Sequence, residues 1–497
     1  MSRPGTTGRN GRRGTCWLLH HLLHASNTSL RYEFPGFLLV LTAARTWRRL
    51  RAMSDQPNLL FVFGDQWRAQ ACGYAGDPNV QTPRLDGFAA ESVNFSHAVS
   101  GCPVCSPYRA SLLTGQYPLT HGMVVNDQSL RIGEFTSFAD ALNAAGYQTG
   151  YIGKWHIDGH GRSRFVPPER RLGFQFWRGF ECTHDYNHSP YYADSDEARL
   201  WQGYDAAAQT AEACRFLREE RDGRPWALFV SWGPPHNPYE TAPEEFRALY
   251  RPEDLVLRPN VPPEAEAQAR TDLAGYYAHC SALDSCFGRL LDELEGLGLA
   301  GDTVVVFTSD HGDMLGSHGV HRKQWPYEES VRVPLLLRGP GLAARKVVTP
   351  LDAPDVMPTL LSLCGVDIPE TVEGRDWSAV ARGEAPDTGH STVLACYLPF
   401  HEWHYSRGGR EYRGLCTDRY IYVRDLGGPW LLFDNEEDPY QQTNLVGEVS
   451  HGEAREALEA QLQQRLAAMG DQFETGQEIV ARYGIRLNDQ GDTHYEP

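Results

Sequence analysis

Residues 101–115 read GCPVCSPYRASLLTG, which sets Cys102 and Cys105 in a C-x-x-C spacing. A redox dithiol needs its first cysteine at a helix start, with the pair exposed in a small βαβ setting. A zinc site needs a second pair of ligands at similar spacing, and no other C-x-x-C occurs in the 497 residues. Both readings are therefore weak. Downstream, Ser106 suits a helix N-cap and Pro107 the first helical position, which predicts a short helix to about Leu113 closed by Gly115. Cys105 then sits just before a helix N-terminus, where unpaired amides favour an anion.

Other reactive residues end apolar runs. NLLFVFG (58–64) ends at Asp65, and GYQTGYIG (146–153) at Lys154 and His156. WALFVSWGPP (226–235) runs into His236, and TVVVFTS (303–309) into Asp310 and His311. Apolar runs of this length, bounded by Gly or Pro and alternating with helical patterns, read as buried parallel strands of an α/β sheet. Ligands of such sheets bind beyond the carboxyl ends of the strands, so these distant residues should share one rim. Lys154 and His156, two apart at a strand end, can point the same way. Helices are predicted from Ser137 to Ala145 with Ser137 as N-cap, and from 270 to 295 with Gly296 as the stop. After about residue 390 an aromatic, polar stretch predicts short antiparallel strands, and residues 452–469 a closing helix.

A net charge of -18 argues against nucleic-acid binding, because phosphate contacts need clustered Lys and Arg. A small-molecule or sugar substrate fits better. Residues 1–52 differ, with nine Arg, no Lys and the single acid Glu33. Their one apolar run, FPGFLLVLTAA, is too short to span a bilayer. The preferred reading makes Met53 the natural start, 1–52 an extension, and the location cytoplasmic; a signal in 1–52 would make it periplasmic or secreted. The expected organisation is 53–390 as the catalytic domain and 391–497 as a smaller one. Eleven scattered cysteines do not form a disulfide scaffold and read as mostly buried thiols.

C-S-P-Y-R-A-S-L-L-T-G resembles the signature of the type I sulfatases, in the alkaline phosphatase superfamily, whose C-x-P-x-R core is oxidised at the Cys to formylglycine. Cys105, Pro107 and Arg109 fill the three required positions, and Tyr108 replaces the small residue common there. GYQTGYIGKWH (146–156), TSDHGDMLGSHG (308–319) and LFDNEEDPYQQTNL (432–445) resemble further segments of that family, over about residues 55–470. The resemblance implies an alkaline-phosphatase-like α/β fold: a mixed, mostly parallel sheet flanked by helices, and a smaller C-terminal α+β subdomain of a short antiparallel sheet and a helix.

It also implies a reaction. One hydroxyl of the hydrated aldehyde attacks sulfur and the alcohol leaves; deprotonating the other hydroxyl expels sulfate and restores the aldehyde. A serine would instead stay sulfated. The implied metal ligands are Asp65, Gln66, Asp310, His311 and residue 105, for Ca²⁺ or alternatively Mn²⁺. Gln66 stands where sulfatases usually carry a second Asp, and Asp-Gln-Trp-Arg with Asp-His is similar to phosphonate monoester and choline-sulfate hydrolases of the superfamily. The implied roles give Arg109 to the nucleophile's charge and Lys154 to the substrate oxygens. His156 serves as base, His236 protonates the leaving alcohol, and Lys323 binds sulfate.

The implied partners are a sulfate ester of a saccharide or small alcohol and a formylglycine-generating enzyme, with no nucleic acid and no membrane span. A homo-oligomer is left open. For substrate recognition the candidates are Tyr108, His184, Asn187, His188, Tyr191 and Trp325, together with His401, His404 and Arg413. Asp313 and His318 read as structural hydrogen-bonders, and Cys102 as a packing residue or a contributor to recognition by the modifying enzyme. A phosphonate or phosphate diester hydrolase with the same nucleophile is the nearest rival. A non-catalytic protein is disfavoured because the reactive residues are all present.

Overall fold

The computed structural model describes residues 56–387, 389–488 and 493; the extension expected over 1–52, with Met53, lies outside the described residues. The apolar runs form the strands expected of them. In chain order these are β1 (Asn58–Asp65), β2 (Val93–Phe95), β3 (Gln148–Lys154), β4 (Phe176–Phe180), β5 (Trp226–Pro235), β6 (Thr303–Ser309), β7 (Leu335–Arg338) and β8 (Arg345–Val347). They make one eight-stranded sheet in the order β8-β2-β7-β6-β1-β5-β3-β4. Pairing is parallel except at β7, which runs antiparallel to both neighbours. The expected mixed, mostly parallel sheet is thus present.

Side chains alternate across a strand, so each strand feeds two cores. Leu59, Phe61 and Phe63 of β1 pack with Phe229, Val304 and Val306 on one face. Leu60 and Val62 pack with Leu228, Val230, Val305 and Phe307 on the other. Burial on both faces is why the runs read as continuously apolar. The order β6-β1-β5-β3 sets side by side the strands that end at or lead into Asp310, Asp65, His236 and Lys154.

Helix α1 (Cys105–Thr114) carries the cysteine and is buried along its whole length. It differs from expectation at its start. Cys105 is the first helical residue, and Val104, not Ser106, is the N-cap. Ser106 is diverted: its amide donates to Asn126 Oδ1 at 2.9 Å, and its hydroxyl to the carbonyl of His156 at 2.6 Å. Gly115 closes the helix at φ 68°, as a left-handed cap requires. Helix α2 (Phe138–Ala144) has the expected cap, with Ser137 accepting from the Asp140 amide at 3.0 Å. Helices α3 (Asp205–Arg215) and α4 (Glu266–Gly296) cover one face; α4 starts four residues earlier than the pattern suggested.

A second sheet follows as a four-stranded antiparallel meander: β9 (Thr392–Cys396), β10 (Tyr412–Cys416), β11 (Tyr420–Asp425) and β12 (Gly428–Asp434). Helix α5 (Gly452–Ala468) lays Leu458, Leu462 and Leu466 on Val393, Leu415, Tyr422 and Leu432. A short helix the sequence did not announce, α6 (Gly476–Tyr483), comes after it. The ten cysteines among the described residues are buried free thiols. Among those residues no helix is long and apolar enough to cross a membrane.

Asp205, fully buried at the start of α3, supplies a pH-dependent element of stability. Burial raises its pKa to about 8, offset only in part by Ser189 and the Ala206 amide. The unfolded chain would ionise this group near 4. Between those values the unfolded state binds fewer protons, so the contribution of Asp205 to stability falls as pH rises from about 4 to about 8. Asp205→Asn is expected to shrink the difference in urea midpoint between pH 5 and pH 8; an unchanged difference would exclude this group as its source.

Candidate active site

The polar strand ends meet around Cys105. Asp65, at the end of β1, is fully buried, and its Oδ2 accepts from Lys154 Nζ at 2.5 Å and Arg109 Nη2 at 3.1 Å. Arg109 also reaches Asp310 Oδ2 through Nε at 3.2 Å and Nη2 at 3.0 Å, while its Nη1 donates to the Lys154 carbonyl and Ser231 Oγ. One guanidinium therefore ties β1, β3, β5 and β6 together. Asp310 Oδ1 accepts the amides of Gln66 and His311, each at 2.9 Å.

Ligand atoms of Asp65, Cys105, Asp310 and His311 all lie within 4.8 Å of one another, every one buried. His311 Nδ1 is 3.0 Å from the Gly312 carbonyl, so Nδ1 carries the hydrogen and the Nε2 lone pair faces the cluster. That nitrogen is 3.2 Å from Cys105 Sγ and 3.8 Å from Asp65 Oδ1. Gln66 Nε2 donates to Asp313 at 2.5 Å, and its buried Oε1 has no hydrogen-bond partner. Two carboxylates and an oriented imidazole, beside residue 105, make a donor set suited to a divalent cation.

Charge in the site is balanced by position. Burial would raise the Asp65 pKa, but Lys154, His236, Arg109 and Lys323 hold it well below the usual carboxylate range. Burial and the Asp65 charge raise Asp310 instead. Burial and Asp65 also push the Cys105 thiol up, and Lys154, Lys323 and His311 outweigh them, leaving it well below the ordinary thiol range. Lys323 Nζ lies 3.0 Å from Cys105 Sγ and 3.3 Å from both His236 Nε2 and His311 Nε2. His236, with Nδ1 held by the Asn237 carbonyl at 2.8 Å, is kept well below the ordinary imidazole value by burial and Lys323.

Above this floor opens a cavity of about 800 Å³. Cys105, Lys154, His156, His236 and Lys323 face it from below, and Arg162, His184, His401, Glu402, His404 and Arg407 form its walls. Of the residues expected to recognise substrate, His184, His401 and His404 are on these walls; His184 stacks on His236 with centroids 4.6 Å apart. The others are not brought to it. Tyr108 is buried in the apolar core, and Arg413 is buried in an ion pair with Asp471. Trp325 packs on Trp403, and Tyr191 stacks on Trp201 at 3.9 Å. Asn187 donates to the Thr241 carbonyl at 3.1 Å, and His188 pairs on the surface with Asp185. Asp313, His318 and Cys102 have the structural settings expected: amide acceptor, partner of Asn260, and member of an apolar cluster.

Sequence reasoning missed Asn126, Asp127, Arg162, Glu181, Glu402 and Arg407. Glu181 accepts the amides of Ile157, Asp158 and Gly159, fixing the chain after His156. The segment 400–407 is fastened beside Lys323, because Gln324 Nε2 donates to the Phe400 carbonyl at 3.0 Å and Phe400 N to Gln324 Oε1 at 3.3 Å. Asn126, Asp127 and Arg162 do not follow a strand, and Glu181 follows β4, whose apolar run is broken by Arg178.

Comparison with known proteins agrees with this geometry. Residues 57–366 match the Sulfatase family model, and residues 316–469 the model for the C-terminal part of N-sulphoglucosamine sulphohydrolase. An ulvan-active sulfatase of Formosa agariphila is 43% identical over 438 residues, covering 86% of this chain and 84% of that protein. An endo-4-O-sulfatase of Bacteroides thetaiotaomicron is 32% identical, covering 82% and 92%. A solved structure from Bacteroides fragilis has a TM-score of 0.77 at 30% identity, over 86% of this chain and 98% of the other.

Proposed function

The chain belongs to the sulfatase family and is a sulfuric ester hydrolase, and from that premise we propose that it cleaves a carbohydrate sulfate ester at residue 105 after oxidation of the Cys105 thiol to formylglycine. The observation that carries this is the setting of Cys105 Sγ, 3.0 Å from Lys323 Nζ and 3.2 Å from His311 Nε2, at the floor of the cavity. In the mature enzyme an oxygen would stand where that sulfur stands. The hydrated aldehyde supplies two hydroxyls, one to attack and one to release sulfate.

Asp65, Asp310, His311 and residue 105, joined by Gln66 through its unsatisfied Oε1, would hold the metal. A divalent cation there supplies positive charge to the nucleophile and the sulfate oxygens. Ca²⁺ suits the oxygen-rich set, and Mn²⁺ is the alternative that the imidazole allows. Arg109 keeps the two carboxylates apart and oriented. Lys154 and Lys323 bind sulfate oxygens, where their charge grows in worth as the transition state develops. His236 presents Nε2 to the cavity, and a bound anion raises its proton affinity so that it can carry a proton to the departing alcohol. His156 takes the proton that releases sulfate. The walls formed by Arg162, His184, His401, Glu402, His404 and Arg407 offer donors and acceptors for sugar hydroxyls.

Gln66 favours one rival, a phosphonate monoester or phosphodiester hydrolase, because it removes a negative charge from the usual metal set. Turnover of a sulfated oligosaccharide and of a phenyl phosphonate monoester by the same converted, metal-loaded enzyme separates them. The sulfate ester is expected to have the higher kcat/KM, and a preference of about a hundredfold for the phosphonate would reverse the assignment.

A further inference from the structure

Behind His156 lies a carboxylate that the roles above do not use. His156 Nε2 is 2.9 Å from Asp127 Oδ1, with the two residues 3% and 5% exposed. A carboxylate only accepts, so Nε2 carries the hydrogen and the neutral ring has its lone pair on Nδ1. His156 Nδ1 is buried, makes no hydrogen bond to a protein group, and faces Cys105 at the cavity floor. Asp127 and His156 both have left-handed backbones, at φ 62° and 60°. Outside glycine that conformation is uncommon, although Asp and His reach it more readily than most residues, and it persists where the surroundings over-determine it.

The surroundings do so here. Asp127 Oδ2 accepts from Arg162 Nη2 at 3.1 Å, which pins the carboxylate from the cavity wall. The preceding residue, Asn126, caps the Ser106 amide of α1, and Ser106 Oγ bonds the His156 carbonyl at 2.6 Å. The dipeptide 126–127 therefore registers the helix bearing residue 105 and the histidine that faces it against each other.

On these grounds, and resting on the catalytic reading above, we propose that Asp127 is a positioning residue that locks His156 as the Nε2–H tautomer with its Nδ1 lone pair aimed at residue 105. In the release step the proton passes from the second hydroxyl of hydrated residue 105 to Nδ1. The C–O bond to sulfate breaks, its electron pair leaves with sulfate, and the aldehyde re-forms. The charge gained by the ring is met by Asp127.

The test combines a spectroscopic readout with kinetics. Ring-nitrogen NMR of ¹⁵N-histidine protein, with the His156 signals assigned by their loss in His156→Gln, is recorded above pH 9, because burial, which lowers the His156 pKa, is outweighed by Cys182 and Asp127, which raise it to about 9. It is expected to show Nε2–H at His156 in the unliganded wild type. Asp127→Asn is expected to convert His156 to Nδ1–H or to a mixture and to lower kcat about a hundredfold, with KM within twofold and an unchanged melting midpoint. Asp127→Glu should recover part of kcat. An Nδ1–H signal in the wild type, or an Asp127→Asn enzyme with kcat within twofold of wild type, would overturn the proposal. The tautomer is read without substrate, so it decides this point even if the protein hydrolyses no sulfate ester, an outcome that would instead sink the catalytic reading.

Discussion

Replacing Cys105 by serine is expected to lower steady-state turnover of a sulfate ester by about 10⁴-fold or more, the scale on which enzymes lose a covalent nucleophile. Serine is small enough for the site and its oxygen stands close to where the oxidised residue's would. It lacks the second hydroxyl, so the first turnover cannot be completed by expelling sulfate. Intact-protein mass spectrometry after incubation with substrate should then show a trapped gain of about 80 Da, while the converted wild type should differ from its thiol precursor by a loss of about 18 Da. A serine variant retaining more than a hundredth of wild-type turnover would exclude a formylglycine cycle. The effect should exceed that of any wall residue, because those groups orient the sugar and residue 105 forms the bond.

The next largest effect is expected at Asp65, where one side chain meets two demands. It belongs to the cluster of metal-ligating atoms, and it neutralises Lys154 at 2.5 Å and Arg109 at 3.1 Å in a fully buried setting. Asp65→Ala leaves two buried cations short of a partner, a defect that costs about 3–5 kcal/mol when a buried ion pair is broken. Urea denaturation should show that loss, and plasma mass spectrometry should show less than one metal ion per chain. His311→Ala supplies the contrast, since it removes a ligand without stranding a cation. It should lose metal with far less cost to the urea midpoint. Equal midpoints for the two variants would mean that Lys154 and Arg109 find other partners.

The floor of the site was legible because of how parallel sheets are built. A strand buried on both faces is an apolar run, and the residue that ends it is conspicuous; Asp65, Lys154, His236, Asp310 and His311 announced themselves in this way. Lys323 needed the family resemblance, since it lies on a loop. The walls were legible only in part: His184, His401 and His404 stood out by residue type, whereas Arg162, Glu402 and Arg407 did not. Glu402 and Arg407 reach the cavity on a segment held by the Gln324 to Phe400 hydrogen bonds, between residues 76 apart in the chain. Residue type also misled: Tyr108 and Arg413 looked like substrate contacts, yet their polar groups are spent on Thr308 and Asp471 in the interior. At Ser106 the local Ser-Pro pattern was sound chemistry for a cap, but Asn126 and His156 offered the same atoms stronger claims from elsewhere in the fold.

The burial of α1 sets an order of events. Cys105, Pro107 and Arg109 are the residues a modifying enzyme would have to read, and each is nearly or fully enclosed in the folded chain, Arg109 at 1% exposure beneath two carboxylates. A second protein cannot take hold of them there without unpicking the centre of the sheet. If residue 105 is converted as proposed, the conversion would have to happen while the segment is still loose, in competition with folding. A chain that folded first would then be locked with an unconverted thiol, and the active fraction would report a race between two rates and not an affinity.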